Sequence, residues 1–398
     1  MKYLIVSVLM TFTCQVNLYG QFSNVLLKKA ESGSVTSQMD LAKCYIDGNG
    51  VDQSQLEALK WYEKAAGQNN IEAMIKCGDL LCDEWNIDLE PDYVRGINWY
   101  RKAATRGSAK AKKILAGYKF TKEDVSHDCP FEWLPCDEDL RNASVFRENK
   151  NLIVKEYGNK NPIAAYYLAI ISYINKDYSK AVSYLKEAYP LVMDENNYYE
   201  DILNRQENNR PIGFTITAKV FSLLGWCYEY GQGVNKDYVK ASEYYLSEFD
   251  YSSLGMPTIP QVRGAYCLKK AGLYEKFIQE ANSQGGGIIN GGYTTKYGVP
   301  CLQLELAEMY KTGEGVTKNL RKALEIYEAI VDKRKGLLDM YWCPEIKSYS
   351  DVGRAAYRAS QMYRKGEGCK PNVEMAELYF EIALKYGDNN AWYENQNK

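Results

Sequence analysis

The sequence predicts an all-α chain, an α/α superhelical solenoid of stacked helix pairs. Three observations carry that prediction. One pattern recurs in register at four places, apolar residues on both sides of it keep helical spacing, and each copy is divided by a Gly-x-Gly turn followed by a helix-capping residue. At 398 residues, the chain also exceeds the ~250–300 residues at which single cores stop growing, so several domains or a repeat array are expected.

Residues 1–20 place one positive charge, Lys2, ahead of an apolar run from Tyr3 to about Phe12. This pattern predicts a secretory signal peptide cut at Gly20–Gln21, because the run falls short of the ~20 residues that span a bilayer. Leu18 stands where a small residue is usual. A lipidated Cys14 is the alternative, although Thr11 is a poor substitute for the leucine such sites prefer. The expectation is an exported chain, periplasmic or secreted, with no integral membrane segment after signal removal. In an oxidising compartment Cys129 and Cys136 of "CPFEWLPC" invite a bridge, and two free thiols are the equal alternative.

Residues 21–118 hold the first copies. "YIDGNGVDQSQLEALKWYEKAA" begins at Tyr45 and returns at Tyr228, Tyr310 and Tyr363. In each copy the tyrosine precedes the first glycine by three residues, and Ala58, Ala241, Ala323 and Ala376 follow that glycine by ten. "NIDLEPDYVRGINWYRKAATRG" from Asn86 keeps the second half without the glycines. Upstream, Leu41, Ala42, Cys44 and Tyr45 and their counterparts fall on one helical arc, which predicts a buried face whose small residue admits a neighbouring helix. Ser54, Asp92, Asp237, Asn319 and Asn372 are capping types, so a second helix starts after each. Ser54 with Glu57 predicts a capping box. One glycine then ends the first helix in a left-handed conformation, and the other permits the tight turn.

Residues 119–160 fit no repeat, and predict either an edge insertion that shapes a binding face or a cap on the first block. Within 161–250, "NPIAAYYLAIISYINKDYSKAVSYLKEAYPLV" reads as a tetratricopeptide-like hairpin, followed by the Tyr228 copy. Segment 251–298 contains a chain-redirecting turn with Pro257 and Pro260, a degenerate hairpin over 261–282, and a glycine-rich loop. Residues 299–398 carry the last two copies, with 337–350 as a further insertion.

The glycine pairs do not bind phosphate. A P-loop needs lysine and a hydroxyl after its last glycine, and a dinucleotide loop needs a third glycine, and "GNGVDQ", "GQGVNK", "GEGVTK" and "GEGCKP" have neither. The charges nearly cancel, with 49 Lys+Arg against 51 Asp+Glu, and the basic clusters lack interleaved aromatics, which argues against nucleic acid. The single histidine, His127, adjoins Asp128 and Cys129, but sequence neighbours rarely converge on one substrate atom, so it reads as a surface-loop residue. Cys77 and Cys82 lack a partner pair for zinc and fall in a helix, while Cys44 and Cys227 read as small hydrophobes. Neither a catalytic residue, a metal site nor a cofactor is expected.

The pattern Gly-x-Gly-Val followed by Lys-Ala-x-x-Trp/Tyr-Tyr resembles the Sel-one-like repeat, a relative of the tetratricopeptide repeat, over roughly 34–118, 218–250 and 299–390. The resemblance implies a curved solenoid, usually an adaptor for other proteins and seldom a catalyst. The reading is therefore a non-catalytic protein–protein scaffold of the cell envelope or exterior. An envelope glycan-binding or peptidoglycan-related enzyme, with its site in the insertions, is the alternative.

Two first-helix positions escape the repeat's packing. Five residues before the first glycine lie Lys43, Trp226, Glu308 and Gln361, and one before it lie Asp47, Tyr230, Thr312 and Lys365. Both point away from the buried arc, on the side that lines the concave surface of related solenoids. Trp226 and Tyr230, four residues apart, are expected to form an aromatic anchor for a protein partner, with the other six supplying peripheral polar contacts.

Overall fold

A computed structural model describes residues 22–84, 86, 88–118, 137–141, 143–192, 202–203, 206–207, 210–211, 213–247, 259–283, 299–332 and 349–397. The expected signal peptide with Cys14, and His127, Cys129, Cys136 and Pro257, lie outside them, as does most of the insertion sequence before Tyr349 and the glycine-rich loop. The described chain is helical apart from one two-stranded antiparallel ladder, Gln206–Glu207 with Arg210–Pro211. It divides into two compact units.

The first unit spans Met1–Lys122, Lys335–Tyr341 and Glu381–Lys398. Its helices are α1 (Asn24–Glu31), α2 (Val35–Asp47), α3 (Gln55–Gly67), α4 (Ile71–Leu81), α5 (Tyr93–Thr105) and α6 (Ala109–Gly117). The second unit holds α7 (Asp137–Arg141), α8 (Ala143–Glu148), α9 (Lys150–Gly158), α10 (Pro162–Ile174), α11 (Tyr178–Val192), α12 (Gly213–Tyr230), α13 (Tyr238–Leu246), α14 (Ile259–Lys270), α15 (Tyr274–Ser283), α16 (Pro300–Thr312), α17 (Leu320–Asp332) and α18 (Tyr349–Lys365). Helix α19 (Val373–Lys385) begins in the second unit and ends in the first, where α20 (Asn389–Gln396) follows it.

The turn that joins each helix pair is one device used repeatedly. The first glycine is left-handed, with φ of 65° at Gly48, 70° at Gly231, 89° at Gly313 and 71° at Gly366. The next amide reaches back to the helix, Asn49 N to Cys44 O and Gln232 N to Cys227 O at 2.9 Å, so orphan carbonyls are satisfied. All five predicted caps form, and Ser54, Asp92, Asp237, Asn319 and Asn372 each accept from the amide three residues on. In the four glycine copies the cap's own amide donates to the carbonyl of the preceding helix's tyrosine, as from Ser54 to Tyr45 (2.9 Å) and Asn319 to Tyr310 (2.7 Å). That bond displaces the expected capping box: with the Ser54 amide already engaged, Glu57 turns to Lys60 instead.

The second glycine serves packing between repeats. A Cβ on Gly233 would lie 2.3 Å from the carbonyl of Tyr178, where α11 begins, and one on Gly368 would lie 2.5 Å from the carbonyl of Leu320, where α17 begins. Only a residue without a side chain lets the turn rest on the previous pair's second helix. The sequence without glycines solves the same problem differently. Asp88 accepts from the Ser54 hydroxyl and from the amides of Gln55 (2.9 Å) and Leu56 (3.2 Å), so a carboxylate caps α3 where a glycine would otherwise lie close.

Inside a pair, a tyrosine of the second helix lies on the small residue of the first. A Cβ on Gly78 would meet the Tyr100 ring at 2.5 Å, and one on Gly225 the Tyr245 ring at 2.6 Å. The cores are then aliphatic and aromatic, with Leu41, Trp61, Tyr62, Met74 and Tyr100 in the first unit and Tyr166, Tyr167, Leu185, Val220 and Leu224 in the second.

Several expectations are refined. In the described part of 119–160, Ala143, Phe146 and Ile153 pack into the core around α10. Pro260 lies in the first turn of α14, where proline fits, while the rest of the expected turn before it lies outside the described residues. Cys82 is the C-cap of α4 and not inside it. Segment 261–282 is the expected hairpin, α14 and α15, turned at the left-handed Gly272.

Candidate functional site

The candidate surface lies on the first helices of the second unit, α12, α14, α16 and α18. Helical spacing brings Trp226 and Tyr230 together, with ring centroids 4.3 Å apart at 34°. Tyr230 is 47% exposed, whereas Trp226 is half-buried. The expectation that packing makes no demand on this pair therefore needs correction at Trp226. The Arg263 guanidinium of α14 covers its ring at 5.0 Å and the Tyr230 ring at 5.7 Å.

Arg263 is itself buried and held on several sides. It donates to Glu229 through Nε (3.1 Å) and Nη2 (2.8 Å), and Nη2 also donates to the Tyr230 hydroxyl (2.7 Å). Tyr245 donates to the same Glu229 oxygen at 3.0 Å. Burial, and then Glu229, push the Tyr245 phenol well above its ordinary range, so it stays a donor. The hydrogen bond from Arg263 fixes the Tyr230 hydroxyl as an acceptor and with it the tilt of the ring. The exposed ring is thus a rigid platform rather than a loose side chain.

The same construction recurs along the row. Lys269 of α14 pairs with Glu305 of α16, and Arg358 of α18 donates to Glu308 of α16 at 3.1 Å. Tyr327 donates to Glu308 at 2.7 Å, the counterpart of the bond from Tyr245 to Glu229. Successive first helices are therefore tied by buried ion pairs, with a second-helix tyrosine completing two of them. Such pairs add little net stability, but their geometry specifies one alignment, because a buried charge without its partner is costly.

Glu308 is consequently not the peripheral contact the sequence suggested. It is 9% exposed and engaged by Tyr327, Arg358 and, at 3.8 Å, Lys311. Thr312 is exposed and its hydroxyl donates to the Glu308 carbonyl at 2.8 Å. Gln361 is half-buried and Lys365 exposed on α18. Lys43 and Asp47 are exposed on α2, in the first unit, while the other six predicted residues belong to the second.

Sequence reasoning missed Arg263, Arg354 and Arg358. For the last two a signal existed, since Arg354, Arg358, Gln361 and Lys365 recur at helical spacing in "GRAAYRASQMYRKG". Arg263 gave none, because its hairpin lacks the glycine turn that set the register elsewhere. Among the described residues no cluster of His, Cys, Asp and Glu could hold a metal ion, and no helix is long and apolar enough to cross a membrane.

The Sel1 repeat family model matches residues 35–70, 71–108, 162–189, 222–247, 302–332 and 353–388. Four of these ranges hold the glycine copies, 71–108 holds the copy without glycines, and 162–189 is the hairpin that the sequence likened to a tetratricopeptide unit. A Sel1 repeat protein of Oxalobacter formigenes is 17% identical, with 94% of this chain and 79% of that one covered and a TM-score of 0.32. Another structure, c5321, a protective antigen of uropathogenic Escherichia coli with an SLR fold, is 18% identical, with 93% and 74% covered and a TM-score of 0.26. No curated protein is significantly similar. Sel1 repeats generally mediate protein–protein interaction, and proteins built from them are generally non-catalytic scaffolds. Six matched repeats, together with the turn geometry common to the glycine copies, make this chain a member of the Sel1-repeat family.

Proposed function

We propose that the chain is a non-catalytic scaffold that docks a protein partner along the first helices of its second unit, with Tyr230 as the anchor. The exposed Tyr230 ring, stacked on Trp226 and fixed by Arg263, is the observation that carries this reading. A braced aromatic side chain loses little freedom on binding, and tyrosine and tryptophan are enriched where interfaces concentrate their energy. Trp226 supports the platform from below, while Thr312, Gln361 and Lys365 flank it as polar contacts.

A test places a photoreactive phenylalanine analogue at Tyr230 in the full chain and, as control, at the exposed Val94 of α5. Crosslinking to one discrete partner from position 230 alone is expected, with capture lost in Tyr230→Ala while the melting temperature stays within a few degrees. Equal crosslinking from both positions removes the site. The cell envelope or exterior is proposed as the compartment from the Lys2-led apolar run. Amino-terminal sequencing of the native protein is expected to begin at Gln21, and recovery of Met1 in the cytosol refutes export.

A further inference from the structure

On α18, Arg354, Arg358, Gln361 and Lys365 occupy positions i, i+4, i+7 and i+11, one face of a helix. Lys311 of α16 lies against the same face, close enough for Arg358 and Lys365 to act on it. Each cation that is paired there has its carboxylate on the inner side. Arg354 is 47% exposed over a fully buried Asp351, and Arg358 is 23% exposed over the largely buried Glu308. Both acids are buried, and the bases project over them toward water. Burial, and then the neighbouring Arg358 and Lys365 opposing the attraction of Glu308 and Glu367, lower the Lys311 pKa. The face presented to water is therefore electropositive, although the chain as a whole carries a net charge of −2.

We infer that this face of α16 and α18 receives an acidic, extended segment of a protein partner, its carboxylates meeting Arg354, Arg358, Lys365 and Lys311. The inference rests on the docking proposed above and gives it a chemistry. From Arg354 to Lys365 the face runs about 16 Å at 1.5 Å per residue, the length of roughly five residues of extended peptide. Guanidinium groups suit carboxylates bidentately, and those of Arg354 and Arg358 are already oriented by the acids beneath them. A short acidic segment fits this patch better than a nucleic acid, because the chain as a whole has no excess of cations to hold a long polyanion.

The experiment is fluorescence anisotropy on the full chain with labelled hexaglutamate, hexalysine and a short single-stranded oligonucleotide. Hexaglutamate is expected to bind, more weakly as salt rises. Arg354→Gln with Lys365→Gln is expected to weaken it about tenfold. Lys112→Gln with Lys113→Gln on α6, which removes the same charge from the first unit, is expected to leave it within about twofold. Should the first pair prove unstable because Asp351 is left buried, Lys365→Glu alone is expected to give the same direction of effect. The inference is overturned by absence of hexaglutamate binding, by equal losses in both double variants, or by an oligonucleotide that binds more tightly than hexaglutamate and depends on the same residues. Failure of the peptide alongside discrete crosslinking from position 230 would retain the docking surface and remove only its acidic partner. Loss of crosslinking alongside intact hexaglutamate binding would remove the Tyr230 anchor and leave the basic face of α16 and α18.

Discussion

The two glycines of each turn do different work, and alanine substitution separates them. Gly231 and Gly233 share the turn between α12 and α13, and both are left-handed, at φ of 70° and 73°. At Gly231 an added Cβ would find its nearest neighbours at 3.4 Å, at Lys236, which is close to ordinary contact. Only the conformational strain remains, about 1 kcal/mol. At Gly233 the same atom would lie 2.3 Å from the Tyr178 carbonyl carbon and oxygen and 2.6 Å from the Ser179 nitrogen. Those atoms are backbone in the first turn of α11, so relief needs the helix pair to separate by roughly 1 Å, which adds about 1–3 kcal/mol of overpacking. Gly233→Ala is therefore expected to cost ~2–4 kcal/mol against ~1 for Gly231→Ala. For a unit of this size the melting temperature should fall by roughly 6–12 °C and 3 °C respectively. Thermal and urea unfolding supply the comparison, and hydrogen exchange at the start of α11 localises it, because repeat arrays open regionally. Equal shifts for the two variants would refute the packing role of the second glycine.

Other expectations follow from the same geometry. Asp88→Ala removes three acceptor bonds at the start of α3 and should cost about 2 kcal/mol, roughly double the loss for Asp237→Ala, as measured by urea midpoints. Tyr327→Phe leaves Glu308 to Arg358 and the more distant Lys311 and should cost about 1–2 kcal/mol, an effect that a double-mutant cycle with Arg358→Gln should show to be non-additive. Burial raises Tyr62, Tyr173 and Tyr244 from 10.0 to about 12. The folded state then holds protons that the unfolded chain releases above pH 10, so stability is full below that pH and declines between about 10 and 12. Tyrosinate absorbance should rise together with loss of helical dichroism, and full ionisation with the helix intact would contradict it. Burial likewise pushes the Cys227 thiol up to about 12, whereas Cys369 is only partly buried in the last glycine turn. Alkylation mapped by mass spectrometry should therefore label Cys369 before Cys227.

The repeat register was legible because the turn is local chemistry. A tyrosine, two glycines and a capping oxygen at fixed spacing constrain one another within a few residues, and every predicted cap forms. What the sequence hid was decided between helices. Glu308 looked like a solvent position because its helical angle leaves the arc of its own pair, yet Tyr327 and the neighbouring α18 bury it. Trp226 looked free for the same reason, until Arg263 from a hairpin without a register covered its ring. Long-range pairing also explains the insertion around α8, whose apolar residues carry no periodic sign of belonging to the core around α10.

Glu90, in the segment that replaces the glycine turn, accepts from Lys385 at 3.1 Å and from the Tyr386 hydroxyl at 2.9 Å, and Gly387 lies against the Tyr93 ring. The first unit is thus completed by a segment 295 residues downstream of the one it meets. At ~5–20 residues per second, a ribosome needs roughly 15–60 s to supply the missing piece. Throughout that interval the amino-terminal repeats emerge with the Glu90 carboxylate and the Tyr93 ring still awaiting their cover. The order of synthesis therefore lets the second unit assemble before the first is finished.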